Sequence, residues 1–137
     1  MLPPMITIAG KRLTIAYIVL AILLALMMCI SASFKLTYHP GAVQGIHEVV
    51  GVPLSFFPVL AALEIAGGLG LVVGIFRPKL GVAAAIGLVC YFVGAILAHV
   101  RVADWVGLKA PIMPFLHSIA VLSLRVLSMR RESAANR

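Results

Sequence analysis

The sequence predicts an all-α protein: a four-helix transmembrane bundle with a short amphipathic interfacial helix between its first and second spans. Three observations predict it. The 137-residue chain is 63% hydrophobic and only 11% charged, with a mean hydropathy of +1.15, whereas soluble domains are about 45–50% apolar and about 25% charged. Its apolar residues fall into runs of about 20, the length that crosses the hydrocarbon core of a bilayer. The charged residues gather at the ends of those runs. A water-soluble globule of this size leaves too much surface exposed to hide so many apolar side chains. Disordered chains are poor in such residues. Residues 1–137 therefore read as one transmembrane domain.

Each span can be placed. Residues 13–34 carry no charge, residues 54–76 carry only Glu64, and residues 80–99 are uncharged up to His99. The weakest run, 111–129, contains His117 and Arg125, and 130–137 reads as a polar tail. Pro40, Gly41 and Pro53 bracket the first loop, Arg77-Pro78-Lys79 makes a tight second turn, and Asp104 to Pro111 forms the third connection, as expected of chain-breaking residues. A rival reading of the first run is a signal peptide, with Lys11-Arg12 before the apolar stretch and Ser31-Ala32-Ser33 after it. The stretch exceeds the usual 7–15 residues of such a segment, which favours a retained span.

Orientation follows from basic residues in short loops. Four spans put both termini and the second loop on one side, with Lys11, Arg12, Arg77, Lys79, Arg125, Arg130, Arg131 and Arg137. Lys35, Arg101 and Lys109 lie on the other. Both termini are thus expected in the cytoplasm. This accounts for most of the +7 formal charge without nucleic acid, since the charges form no patch or helical stripe. Cys29 and Cys90 stand far apart in apolar runs, with no metal or dithiol spacing.

Between Gly41 and Gly51, Val43, Ile46, Val49 and Val50 fall on one helical face, and Gln44, His47 and Glu48 on the other. That pattern suits a helix lying at the membrane surface, as a connector or as a lid over the bundle's outer mouth. Small residues recur at four-residue intervals, at Ala66, Gly70 and Gly74 in the second run and at Ala83 and Gly87, then Cys90, Gly94 and Ala98, in the third. Close approach of small residues is how helices associate in lipid, so a tight hairpin of these two spans is expected.

An ionisable group at bilayer depth is a functional-site hypothesis by default. Glu64 lies about 15 Å past Leu54 at 1.5 Å per residue, and three of its four helical neighbours (Ala61, Gly67 and Gly68, with Leu60) are small. It should face the bundle interior. Topology brings Lys35, His99, Arg101 and His117 into the same half, with Tyr91 on the face of His99. These six residues define a candidate ligand pocket open to the outer surface. Duller roles stand beside it: Lys35 and Arg101 snorkelling to the interface, His99 at the interface, His117 in a helix-to-helix hydrogen bond, and Glu64 in a structural pair. Asp104 is expected to pair with Arg101 or to cap a loop. No recurrent ligand spacing points to a metal.

These residues carry a resemblance. The run Leu63-Glu64-Ile65-Ala66-Gly67-Gly68-Leu69-Gly70-Leu71, the segment Ala98-His99-Val100-Arg101-Val102-Ala103-Asp104, the Ser33-Phe34-Lys35-Leu36 end of the first span and Gly51-Val52-Pro53 together resemble the DoxX-like family of small bacterial membrane proteins. The resemblance covers about residues 13–128. It implies a four-helix fold in the bacterial plasma (inner) membrane. Its acidic position corresponds to Glu64, its lysine to Lys35 and its His-x-Arg pair to His99 and Arg101. Relatives include a subunit of a thiosulfate:quinone oxidoreductase and proteins linked to membrane redox or oxidative-stress complexes. A redox role would then need a bound quinone or a membrane-associated redox partner, since the chain has no haem-type, dithiol or flavin motif.

Three functional readings follow. The first is a small subunit that binds a lipophilic ligand such as a quinone and supports a membrane redox process. The second is a structural accessory subunit with no ligand of its own, in a complex or a homo-oligomer. The third is a lipid-modifying, isomerase-like enzyme using Glu64 and a histidine as an acid–base pair, although no complete catalytic motif is present. A transporter is disfavoured by the lack of an inverted repeat.

Overall fold

Pro58, Pro78 and Pro111 each stand in the first turn of a long helix, where a missing N–H costs nothing. The computed structural model, which describes residues 8–135, contains four long helices, the last three of them opened by these prolines: α1 (Ile8–Leu36), α2 (Phe57–Phe76), α3 (Pro78–Arg101) and α4 (Lys109–Ala135). No strand occurs among the described residues. All four are long and apolar enough to cross a membrane. Only 22–28% of each hydrophobic window is buried inside the protein, and the outward remainder is largely Leu, Ile, Val and Phe. Such a surface requires lipid rather than water. α1 begins five residues before the expected span, and α4 continues through most of the segment expected to be a tail.

Each helix packs against two others: α1 on α2, α2 on α3, α3 on α4, and α4 back on α1. The ring encloses Tyr17, Leu24, Met28, Leu71, Leu88, Phe92 and Val121. α2 and α3 approach most closely, because Arg77 alone separates them. Gly74 meets Gly81, Gly70 meets Ala84, and Gly67 meets Leu88, so one turn back along α2 is one turn forward along α3. A Cβ at Gly74 would strike the Gly81 backbone, which only separation of the helices could relieve. On α3 the contact face differs from the expected one. Gly87 has nothing near it and Cys90 is exposed, so this part of the small-residue stripe faces outward.

α1 and α3 end alike, at the same end of the bundle. Tyr38 (φ 51°) and Ala103 (φ 54°) adopt the left-handed conformation. The following amides, of His39 and Asp104, donate back to the carbonyls of Phe34 and His99 at 2.9 and 3.1 Å. This is the Schellman arrangement built without glycine, at some conformational cost.

The α1–α2 connector begins with a helical turn (Pro40–Ala42), runs into a π-helix (Val43–Val49) and ends in a 3-10 turn (Leu54–Phe56). The expected surface helix exists, with a changed register. The wider π turn aligns residues four apart, so Ile46 and Val50 turn inward while Val49 stays 45% exposed. This end is called the connector end below, and the opposite one the terminal end.

Candidate functional site

The α2–α3 register that opposes Gly67 to Leu88 also places Glu64, one turn earlier, beside Tyr91. From α1, the last turn supplies Lys35 and, one turn back, Ser31. The Lys35 ammonium lies 2.9 and 3.0 Å from the two Glu64 carboxylate oxygens and 2.9 Å from Ser31 Oγ. The Ser31 hydroxyl donates to Glu64 Oε1 at 2.9 Å. Lys35 and Glu64 are only 6% and 1% exposed. Snorkelling of Lys35 to the interface is thereby excluded. The ammonium bends inward because the carboxylate is the one group at that depth able to compensate its charge.

A cavity of about 600 Å³ opens from this pair toward the connector end. Met28, Leu60, Phe92 and Pro114 give it apolar walls, Ser31, Lys35, Glu64, Tyr91 and His99 its polar points, and Lys109 stands at its edge. Ile46, Val50 and Val52 of the connector also line it, the position expected of a lid. Met27 and Met113 line it while remaining 37% and 67% exposed. The cavity therefore reaches the lipid-facing surface beside α1 and α4.

His99 sits at the mouth. Its Nδ1 lies 2.9 Å from Asp104 Oδ2, and Asp104 Oδ1 accepts the Gly107 amide at 2.9 Å. The left-handed Ala103 folds Asp104 back over the end of α3 to make this contact. Asp104 thus pairs with His99, rather than with Arg101, and also caps its loop. The Gly107 amide, and then the His99 ring, hold the Asp104 carboxyl below its ordinary range. It stays ionised from neutral into acid pH, and its grip on His99 is lost as pH falls through that lowered value. With the carboxylate fixed, Nδ1 carries the proton and Nε2 is the ring's unengaged nitrogen.

Two expected site residues lie elsewhere. Arg101 donates from Nη2 to the Val50 carbonyl at 3.1 Å, so it ties the connector down and does not line the cavity. The chain turns away just after it, and its stem follows the surface. His117 also stays outside the cavity lining. Its Nε2 is buried without a hydrogen-bond partner among the described residues. Lys35, Glu64, Tyr91 and His99 do come together around one cavity.

The comparison with protein families bears on this stretch directly. The model of the DoxX-like family matches residues 19–122, about three-quarters of the chain. The protein belongs to the DoxX-like family. No curated protein and no solved structure matched the chain. In this DoxX-like protein the matched stretch contains every residue that lines the cavity.

A second buried polar group escaped the sequence reading. Arg125 of α4 is only 4% exposed, near the terminal end of the DoxX-like bundle. Its Nη2 donates to the Gly74 carbonyl at 2.9 Å, and its guanidinium lies 4.6 Å from the Tyr17 ring centre. The signal was available. Pro111, Pro114, Ser118, Val121, Arg125 and Ser128 recur at alternating three- and four-residue steps and are all buried, so Arg125 occupies the inward stripe of α4.

Proposed function

We propose that this DoxX-like protein is a small membrane subunit whose cavity binds a lipophilic molecule of the quinone type and so supports a membrane redox process. The carrying observation is the cavity itself. Its volume falls within the 300–1,000 Å³ usual for small-molecule sites, which combine apolar walls with a few convergent polar groups. Here those groups are Glu64, Tyr91 and His99. A quinone has that shape: an apolar tail and ring, with polar atoms only on the head group. On this reading the chain binds, orients and shields the head group, while electrons are exchanged with a membrane-associated partner. The ligand's route is lateral, past Met27 and Met113, from the bilayer in which it dissolves.

The reading also includes the bacterial plasma membrane and cytoplasmic termini. Lys11, Arg12, Arg77, Lys79, Arg130 and Arg131 are exposed at the terminal end, so the basic excess there stands without the buried Arg125. A cysteine placed at Ser133 should then react with an impermeant alkylating reagent only from the cytoplasmic side. Reaction from outside would invert the topology.

The ligand itself is tested on protein extracted with its native lipids. Quinone content per protein, read by mass spectrometry, should exceed that of the surrounding lipid several-fold. His99→Ala and Tyr91→Phe should lower it while the helical content stays. Quinone present only in proportion to bulk lipid would sink the proposal. The structural-subunit reading has one observation in its favour: Lys35, Ser31 and Glu64 satisfy one another almost completely within the chain.

A further inference from the structure

The polar groups of the cavity can be counted by what each has left to offer a ligand. An ammonium has three donors and a hydroxyl one. Lys35 directs its three at Ser31 Oγ, Glu64 Oε1 and Glu64 Oε2, and Ser31 spends its one on Glu64 Oε1. Neither retains a proton for a ligand. Glu64 is different. As a carboxylate it can only accept: Oε1 takes the bonds from Ser31 and Lys35, Oε2 takes the one from Lys35, and the Tyr91 hydroxyl also reaches the group.

The mouth tells the same story. Asp104 accepts from His99 Nδ1, which leaves Nε2 as the ring's unengaged nitrogen, a lone pair whenever the ring is uncharged. The Tyr91 hydroxyl lies within hydrogen-bonding reach of the Glu64 carboxylate, and with its proton turned to that carboxylate it offers the cavity an oxygen lone pair. Pro114 has no N–H, so the Ala110 carbonyl at the cavity edge loses its usual partner one turn on. Lys109 is the one remaining cationic donor in the lining, and it is exposed and therefore hydrated.

From this inventory we infer that the cavity is built for a ligand that donates hydrogen bonds, and hence for the hydroxyl-bearing quinol in preference to the quinone. A quinone head group offers only carbonyl acceptors. Those would face the Tyr91 oxygen, the Glu64 carboxylate and His99 Nε2 with no proton between them. A quinol supplies a proton to each acceptor it meets. The preference rests on the proposed binding of this ligand class and names the redox form that is held.

The experiment compares a short-tailed benzoquinone with its quinol, kept reduced with dithionite, by equilibrium binding to the full chain in lipid nanodiscs. It is run at about pH 8, above the ordinary titration range of imidazole. The quinol should bind about tenfold more tightly, the equivalent of one net hydrogen bond of about 1.4 kcal/mol. His99→Phe removes one acceptor without touching the Lys35–Glu64 pair, and should bring the two affinities closer together. Equal or tighter binding of the quinone to the unsubstituted chain overturns the inference while leaving the ligand class intact. If neither form binds, the ligand class itself is wrong.

Discussion

Glu64→Ala is expected to lower the unfolding free energy of the bundle by about 3–5 kcal/mol, the usual cost of removing one partner from a buried ion pair. The reason is what remains. Lys35 would keep its charge in a site only 6% exposed, with only Ser31 Oγ left as a protein partner. Glu64→Gln should cost less, since an amide oxygen still accepts from the ammonium. The informative variant removes both charges. Replacing a buried pair with apolar residues of similar size is often neutral, or stabilising by about 1–4 kcal/mol, so Lys35→Met with Glu64→Leu should recover most of the lost stability. Denaturant titration of the single and double variants measures this. Quinone content then separates the two functional readings. If the pair exists to serve a ligand, the recovered double variant is stable and empty. Unchanged quinone content in a stable double variant would return the pair to a purely structural role.

That pair was legible in the sequence because membrane helices admit so few charges. Glu64 stands alone in an apolar run with small neighbours on its inward side, and Lys35 ends the only preceding span. The four spans were legible for the same reason, and the α2–α3 hairpin followed from its glycines and the Arg77-Pro78 break. What misled was reach. Arg101 and His99 are two residues apart on α3, and nothing in the sequence says that one stem crosses to the Val50 carbonyl while the other ring turns to Asp104. Those directions depend on how the left-handed Ala103 ends the helix and on where the connector lies. The π register of the connector was equally hidden, since 3.6-residue periodicity assigned Val49 to the face it leaves. For His117 the sequence gives depth alone, and depth does not decide which side of α4 looks into the cavity.

Arg125 carries the other large expected effect. The Gly74 carbonyl belongs to the last turn of α2, where carbonyls lose their partners within the helix. One turn further on stands Pro78, which has no N–H, and the chain has already turned at Arg77 (φ −123°, ψ 86°). Arg125 supplies the missing donor from a helix 51 residues away in sequence, and its positive charge meets the negative end of the α2 dipole. Arg125→Met keeps the length and the apolar stem but leaves that carbonyl buried without a donor, a loss of about 1–3 kcal/mol. It also removes the contact with the Tyr17 ring, worth about 0.5–2 kcal/mol. Against this stands relief from burying a charge that has no acid beside it among the described residues. The dipole and the carbonyl already compensate part of that charge, so the net change should be destabilising by about 2 kcal/mol. Arg125→Lys should fall between, because an ammonium restores the charge but not the planar group lying on Tyr17. Thermal unfolding in nanodiscs gives the order, with the unsubstituted chain above Lys and Lys above Met. Since Arg125 lies outside the cavity lining, ligand affinity in either folded variant should be unchanged. A Met variant as stable as the parent would show that the buried charge costs as much as its contacts return.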